Sequence, residues 1–232
     1  AMGCPVEIEY AVNMYDLPDI QDEFCLLQIK PMVVRGLQQL AYQTENKEED
    51  ILCKSSIVLG DGIIDSIYNI IYVDFIAFDR SLTRNIAKEI ELFNRQLGSE
   101  NPYLLIGPGR WGTADPWLGI PVNWKQISHA QTIVELGIED LNPEPSFGSH
   151  FFQNVTSLRV GYFTLKHIDK GGEIDIEWLN NQPIKQATKF IRWILLDNPL
   201  HIRIDGSTGE GIILKPQSKL TDVMDEEEST GI

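Results

Sequence analysis

The chain has 232 residues, 43% of them apolar and 9% aromatic, enough to bury the core of one or two globular domains. Its 19 Lys+Arg against 34 Asp+Glu give a formal charge of −15, which repels phosphate backbones and anionic lipid, so neither nucleic acid nor membrane is expected as a partner. Cys4, Cys25 and Cys53 form no CxxC pair and have no neighbouring histidine, so they indicate neither a disulfide framework nor a zinc site; no apolar run reaches the roughly 18 residues of a membrane span, and a cytoplasmic location is expected.

Ala1-Met2-Gly3 places a methionine second and reads as an expression scar, so the chain is expected to be the tail of something longer. "VEIEYAVN", 6–13, alternates apolar and polar residues as a strand does, and 24–32 reads as a second strand across the loop "MYDLPDIQDE". The charged stretch "TENKEED", 44–50, suits a solvated linker. The expected organisation is therefore 1–34 as one strand pair, 35–50 as linker, 51–216 as a mixed α/β domain and 217–232 as an acidic, disordered tail.

Within the larger section, "SSIVL", the turn "GDG" and "IYNIIYVDFIAF" read as a hairpin. Leu82, Ile86, Ile90, Phe93 and Leu97 recur at helical steps, predicting a helix over 81–97 that Ser81 caps and Gly98 ends. "YLLIG" and "AQTIVEL" read as strands on either side of a proline-bearing loop. A short helix capped by Ser149, carrying Phe152 and Val155, precedes two further strands, "VGYFTL" and "IDIEWL". Ala187, Phe190, Ile191, Ile194 and Leu195 mark a second helix stopped at Asn198-Pro199, and "LHIRIDGSTGEGIILKP" closes the domain as a hairpin turning on Asp205-Gly206. The fold class is mixed α/β.

Period two puts Glu7, Glu9, Ala11 and Asn13 on one face of the first strand, and Gln28 and Lys30 on one face of the second. An antiparallel pairing would gather Glu9, Gln28 and Lys30: a carboxylate for a hard cation, an amide, and an ammonium for a phosphate. That trio suits phosphoryl transfer, in which catalysis is mostly positioning and charge neutralisation. A half-buried hairpin with a wet outer face has the same pattern.

"VEIEYAVN" followed by "CLLQIKP" resembles the closing strands of the ATP-grasp nucleotide-binding domain in the pyruvate phosphate dikinase and phosphoenolpyruvate synthase family, which read approximately (D/V)-x-I-E-(F/W)-A and (I/L)-L-Q-x-R-P. The resemblance covers about the first 34 residues. It implies that Glu9 holds the metal, that Gln28 and Lys30 serve ATP, and that ATP and Mg²⁺ are the cofactors of the full-length protein, with pyruvate the acceptor in the intact family. Lys30 stands where the family has arginine, keeping the charge but losing the planar fork. The rest of such a site lies upstream of this chain, so the fragment by itself is expected to bind ATP weakly or not at all.

Two further motifs invite other chemistry. Gly107-x-Gly109-x-x-Gly112 follows a strand, as in a dinucleotide fingerprint, and Glu135 lies about where a ribose-binding acid belongs. "TADPWLGIP" supplies no helix to meet a pyrophosphate, however. The spacing instead predicts a tight turn packing Trp111 and Trp117, with Arg110 placed to meet an anion. "SHA" and "ELGI" around His129 are similar to pieces of the same family's phosphohistidine motif, without its preceding glycines. Glu173, Asp175 and Glu177 would line one face of a solvated strand, and Asp205 would serve its turn. The alternative for 51–216 is a regulatory or assembly module that performs no chemistry.

Overall fold

The computed structural model describes residues 6–15, 21–31, 47–138, 141, 150–166, 173–206 and 208–216. The chain divides into two compact units, Ala1–Thr44 and Glu45–Ile232.

The first unit is an antiparallel pair of β1 (Val6–Asn13) and β2 (Glu23–Pro31). Glu9 faces Gln28 and the next pair is Tyr10 with Leu26, so Leu27 is an extra residue, a β-bulge that bends the ribbon beside Glu9. Beyond the bulge, Tyr10, Val12, Phe24 and Leu26 are exposed apolar residues, and the Tyr10 and Phe24 rings stack at 5.2 Å. At the open end Asn13 Nδ2 donates to Glu23 Oε2 at 3.1 Å and the Tyr15 amide to Asp22 Oδ1 at 2.9 Å.

The second unit is one large mixed sheet with few helices. Its strands are β3 (Ile51–Ser55), β4 (Val58–Leu59), β5 (Gly62–Val73), β6 (Tyr103–Pro108), β9 (Ala130–Leu136), β10 (Gly161–Leu165), β11 (Glu173–Ile174), β12 (Ile184–Ala187), β13 (Ile191–Asp205) and β14 (Glu210–Leu214). In space they run β11, β3, β14, β13, β5, β6, β9, β10, β4, with β12 paired to β13 off that path. The centre, β5, β6, β9 and β10, is parallel. Parallel strands are covered on both faces, which is why Tyr103–Pro108 is buried at every position. A separate parallel ribbon, β7 (Arg110–Trp111) with β8 (Gly119–Ile120), fills part of the β6–β9 crossover.

Helix α1 (Thr83–Leu97) links β5 to β6 and lays Ile86, Ile90 and Phe93 on Ile71, Val73, Leu105 and Ile133, in a cluster that also takes Trp111, Tyr162 and Val155 of α2 (His150–Ser157). The opposite face packs Ile70, Tyr72, Leu104, Ile106, Val134 and Phe163 with Leu179 of α3 (Ile176–Asn181). The helix predicted over 81–97 is present, but Asp79 rather than Ser81 caps its approach, accepting from the Ser81 amide at 2.8 Å; Gly98, at φ +66, ends it.

Three sequence expectations are overturned. β4 and β5 form no hairpin: β4 pairs with β10 at the far edge, because the short Gly60–Gly62 link lets the chain leave one strand line and cross to another. The second predicted helix is the end of β12, the turn after it and the start of β13. Ile191 and Trp193 enter one core while Ile194, Leu196, Leu200, Ile202 and Ile204 enter the other, and an apolar strand buried on both faces mimics a helical stripe; Pro199 sits where the register with β5 is broken. "IDIEWL" is β11 followed by α3, because Asp175 accepts from the Trp178 amide at 2.7 Å and starts a helix. Ser149, His167 and the acidic tail lie outside the described residues. Among the described residues no helix is long and apolar enough to cross a membrane.

Candidate functional site

On the strand pair, Glu9 and Gln28 are register partners with exposed side chains, and the next pair along the same strands is Glu7 with Lys30. Directly opposed residues share a face, so a carboxylate and a primary amide stand side by side facing solvent. Lys30 is placed by its backbone two residues beyond Gln28; its side chain lies outside the described residues. Mg²⁺ uses one or two carboxylates, keeps several waters and takes the rest of its shell from substrate phosphates. One carboxylate beside an amide fits that mode, in which the ion arrives with the nucleotide. Among the described residues no group of three or more His, Cys, Asp or Glu side chains is arranged to hold a metal by itself.

The glycine motif of the second unit has a different purpose. Each glycine makes room for a neighbour: a Cβ on Gly107 would lie 2.6 Å from the Trp111 indole, one on Gly109 2.8 Å from Gly119 Cα, and one on Gly112 2.4 Å from the Phe151 ring. Gly109 and Gly112 are also left-handed, at φ +70 and +71. No helix begins at these glycines; β7 does. Trp111 is buried as the turn reading expects, whereas Trp117 is 61% exposed.

Glu135 is buried under this turn and accepts at Oε1 from the Trp111 amide, at 2.9 Å, and from the Tyr162 hydroxyl. Burial pushes its carboxyl up to about 7 against the lowering pull of Tyr162, the Trp111 N–H, Arg110 and Thr164. The residue that spacing places near a ribose is therefore committed to internal bonds. Its sequence signal is the one acid of the strand "AQTIVEL", at the next-to-last position after the apolar pair Ile133-Val134. A cleft of about 340 Å³ opens at the same edge of the sheet, lined by Phe75, Phe78, Asp79, Arg80 and Ile138.

His129 lies at the other end of β9, half-buried. Its amide donates to Asn94 Oδ1 at 3.0 Å and its Nδ1 lies 2.9 Å from the Asn94 carbonyl, which can only accept, so Nδ1 carries the proton. Asn94 also receives the Tyr103 hydroxyl at 2.9 Å and fastens α1 to the turn before β9. His201 accepts at Nε2 from Arg203 Nε at 2.7 Å and bonds Asp65 through Nδ1, which leaves neither nitrogen for a nucleophile. The Glu173–Asp175–Glu177 stripe does not exist as a strand face: Asp175 caps α3 and pairs with Lys215 Nζ at 2.7 Å. Asp205 serves its turn, accepting from the Thr208 amide at 3.2 Å.

Comparison with known protein families, with curated proteins and with solved structures finds no match for this chain.

Proposed function

We propose that the chain belongs to a cytoplasmic, ATP-dependent phosphotransferase resembling pyruvate phosphate dikinase and phosphoenolpyruvate synthase, and that its strand pair is one wall of the Mg-ATP site. The observation that carries this reading is the opposition of Glu9 and Gln28 with Lys30 two residues on. Glu9 would take the metal, the Gln28 amide would donate to a phosphate oxygen, and Lys30 would supply point-charge neutralisation. Bound Mg²⁺ would neutralise charge on the transferred phosphoryl group; the role of these residues is to orient the nucleotide against it. The substrates are small molecules, a nucleotide and an acceptor for which pyruvate is the first candidate. The second unit has no assigned role in this reading, and the alternative for it is a non-catalytic regulatory or assembly module; Glu135 and the Nδ1 of His129 are engaged in its own fold.

Titration of Mg-ATP into the intact protein and into Glu9→Ala tests the assignment. A loss of at least about tenfold in affinity is expected, corresponding to about 1.4 kcal/mol. Equal affinities would remove Glu9 from the site.

A further inference from the structure

The two oxygens of the Glu135 carboxyl are not treated alike by the fold. Oε1 accepts from the Trp111 amide and the Tyr162 hydroxyl, whereas among the described residues Oε2 has no hydrogen bond of good geometry; the Thr164 hydroxyl, on the register partner of Glu135 in β10, exerts only a weak pull on the carboxyl. An ionised carboxylate wants donors at both oxygens; a neutral acid carries a proton on one of them and donates it. The Thr164 hydroxyl can donate to an ionised Oε2 or accept from a protonated one; what favours the neutral acid here is burial, since an ionised carboxylate with 1% of its residue exposed has lost its hydration.

The charged and titratable groups acting on this carboxyl, among the described residues, are Arg110 from β7 and Tyr162 from β10; its partner on β6 is Gly107, which has no side chain. Trp111 is pinned to β9 twice, by its amide to Glu135 and by Nε1 to the Val134 carbonyl at 3.0 Å. Gly109 and Gly112 bracket it as two left-handed pivots. The turn is fastened from beneath by Glu135 and Val134 and at its sides by the Gly109 amide to the Leu136 carbonyl at 2.8 Å, the Arg110 amide to the Leu118 carbonyl at 3.0 Å and the Gly112 amide to the Ile120 carbonyl at 3.0 Å, so opening it breaks these bonds together.

We propose that Glu135 is a proton-operated latch on the glycine turn, closed when the carboxyl is neutral and released when ionisation favours a turn lifted far enough for the carboxylate to meet water. The closed carboxyl titrates at about 7, while one opened to water returns toward the ordinary 4.5. Between those limits each pH unit multiplies the open fraction by up to tenfold. Opening would uncover Arg110 at the carboxyl edge of the parallel strands, the edge that also carries the cleft.

The test is amide hydrogen exchange at Arg110–Gly112 in the full chain at pH 5 and pH 8, corrected for intrinsic exchange. Protection in the native protein is expected to fall about fifty- to hundredfold across that interval, and that of Glu135→Gln, which cannot ionise, to stay level. Tyr162→Phe removes a donor that favours the anion and is expected to move the transition to higher pH. A native turn equally protected at both pH values, or a parallel fall in Glu135→Gln, would overturn the latch. If Glu135→Gln does not fold, the carbon-13 titration of the Glu135 carboxyl must share its midpoint with the exchange transition in the native protein, and separate midpoints would overturn it equally.

Discussion

Replacing Gly119 with alanine is expected to destabilise the second unit by more than about 3 kcal/mol, the sum of a forced backbone conformation and an unrelieved clash. Gly119 sits at φ +156, and a Cβ there would lie 2.1 Å from the Arg110 carbonyl oxygen and 2.2 Å from its nitrogen. These are main-chain atoms in register with it across the β7–β8 ribbon, so no side chain can swing aside. Moving Arg110 drags Trp111 away from Glu135 and breaks the bond of the Arg110 amide to the Leu118 carbonyl at 3.0 Å. Gly62→Ala provides the contrast: φ is +117, but nothing lies within 4 Å of the added methyl, so only the conformational cost of about 1 kcal/mol applies. Urea unfolding of the two variants measures the difference. A loss at Gly119 no larger than at Gly62 would mean that the ribbon is not held as described.

Glu135→Gln is expected to leave the protein about 3 kcal/mol more stable at pH 8 than the native chain, relative to their difference at pH 4. The sign follows from the raised carboxyl. Below pH 4.5 the acid is neutral both folded and unfolded and contributes no pH dependence. From 4.5 to about 7 the unfolded chain ionises while the folded one stays neutral, so native stability declines through that window and levels off above it. Glutamine keeps the shape and cannot ionise, so its stability curve lacks this decline. Local opening of the glycine turn limits the effect, because a turn that lifts cheaply hydrates the carboxylate without global unfolding. A difference well below about 3 kcal/mol, together with a pH-dependent loss of turn protection, would therefore measure the cost of opening. Asp175 acts in the opposite sense. Burial raises its carboxyl, but the Lys215 hydrogen bond, the Trp178 N–H and the Lys215 charge together hold it below the usual carboxylate range. Its stabilisation is present above the ordinary 3.8 and is lost as pH falls through the depressed value. Chemical denaturation across pH 4 to 8 with both proteins checks the Glu135 curve.

What could be read from the residues depended on how local the determining physics is. "AQTIVEL" is β9 residue for residue, because a β-branched run between a turn and a glycine has few other solutions. The α1 stripe is equally clear, since Ile86, Ile90 and Phe93 fall on one face whatever the fold. β13 was illegible for a non-local reason: it feeds both cores at once, and its identity as a strand depends on β5 and β14 lying beside it. The β4–β5 misreading is of the same kind, a turn that looks closed until the distant β10 claims one arm. At the strand pair, period two shows which residues share a face, but the bulge at Leu27 is not visible in composition and determines how far the face of Glu9 and Gln28 extends. The glycines at 107, 109 and 112 carry the spacing of a nucleotide fingerprint. Their partners, Trp111, Gly119 and Phe151, show instead a packing device, and only the missing helix hinted at it.

The proposal that the β1–β2 strands meet Mg-ATP is most directly tested by paramagnetic broadening with Mn²⁺ and ATP on the isotope-labelled chain, a measurement that detects even weak binding. The amides of Glu9 and Gln28 are expected to broaden first, ATP increasing the effect and Glu9→Ala suppressing it. Broadening that ignores ATP, persists in Glu9→Ala, or centres on the acids of the second unit would contradict a nucleotide-bearing wall at these strands.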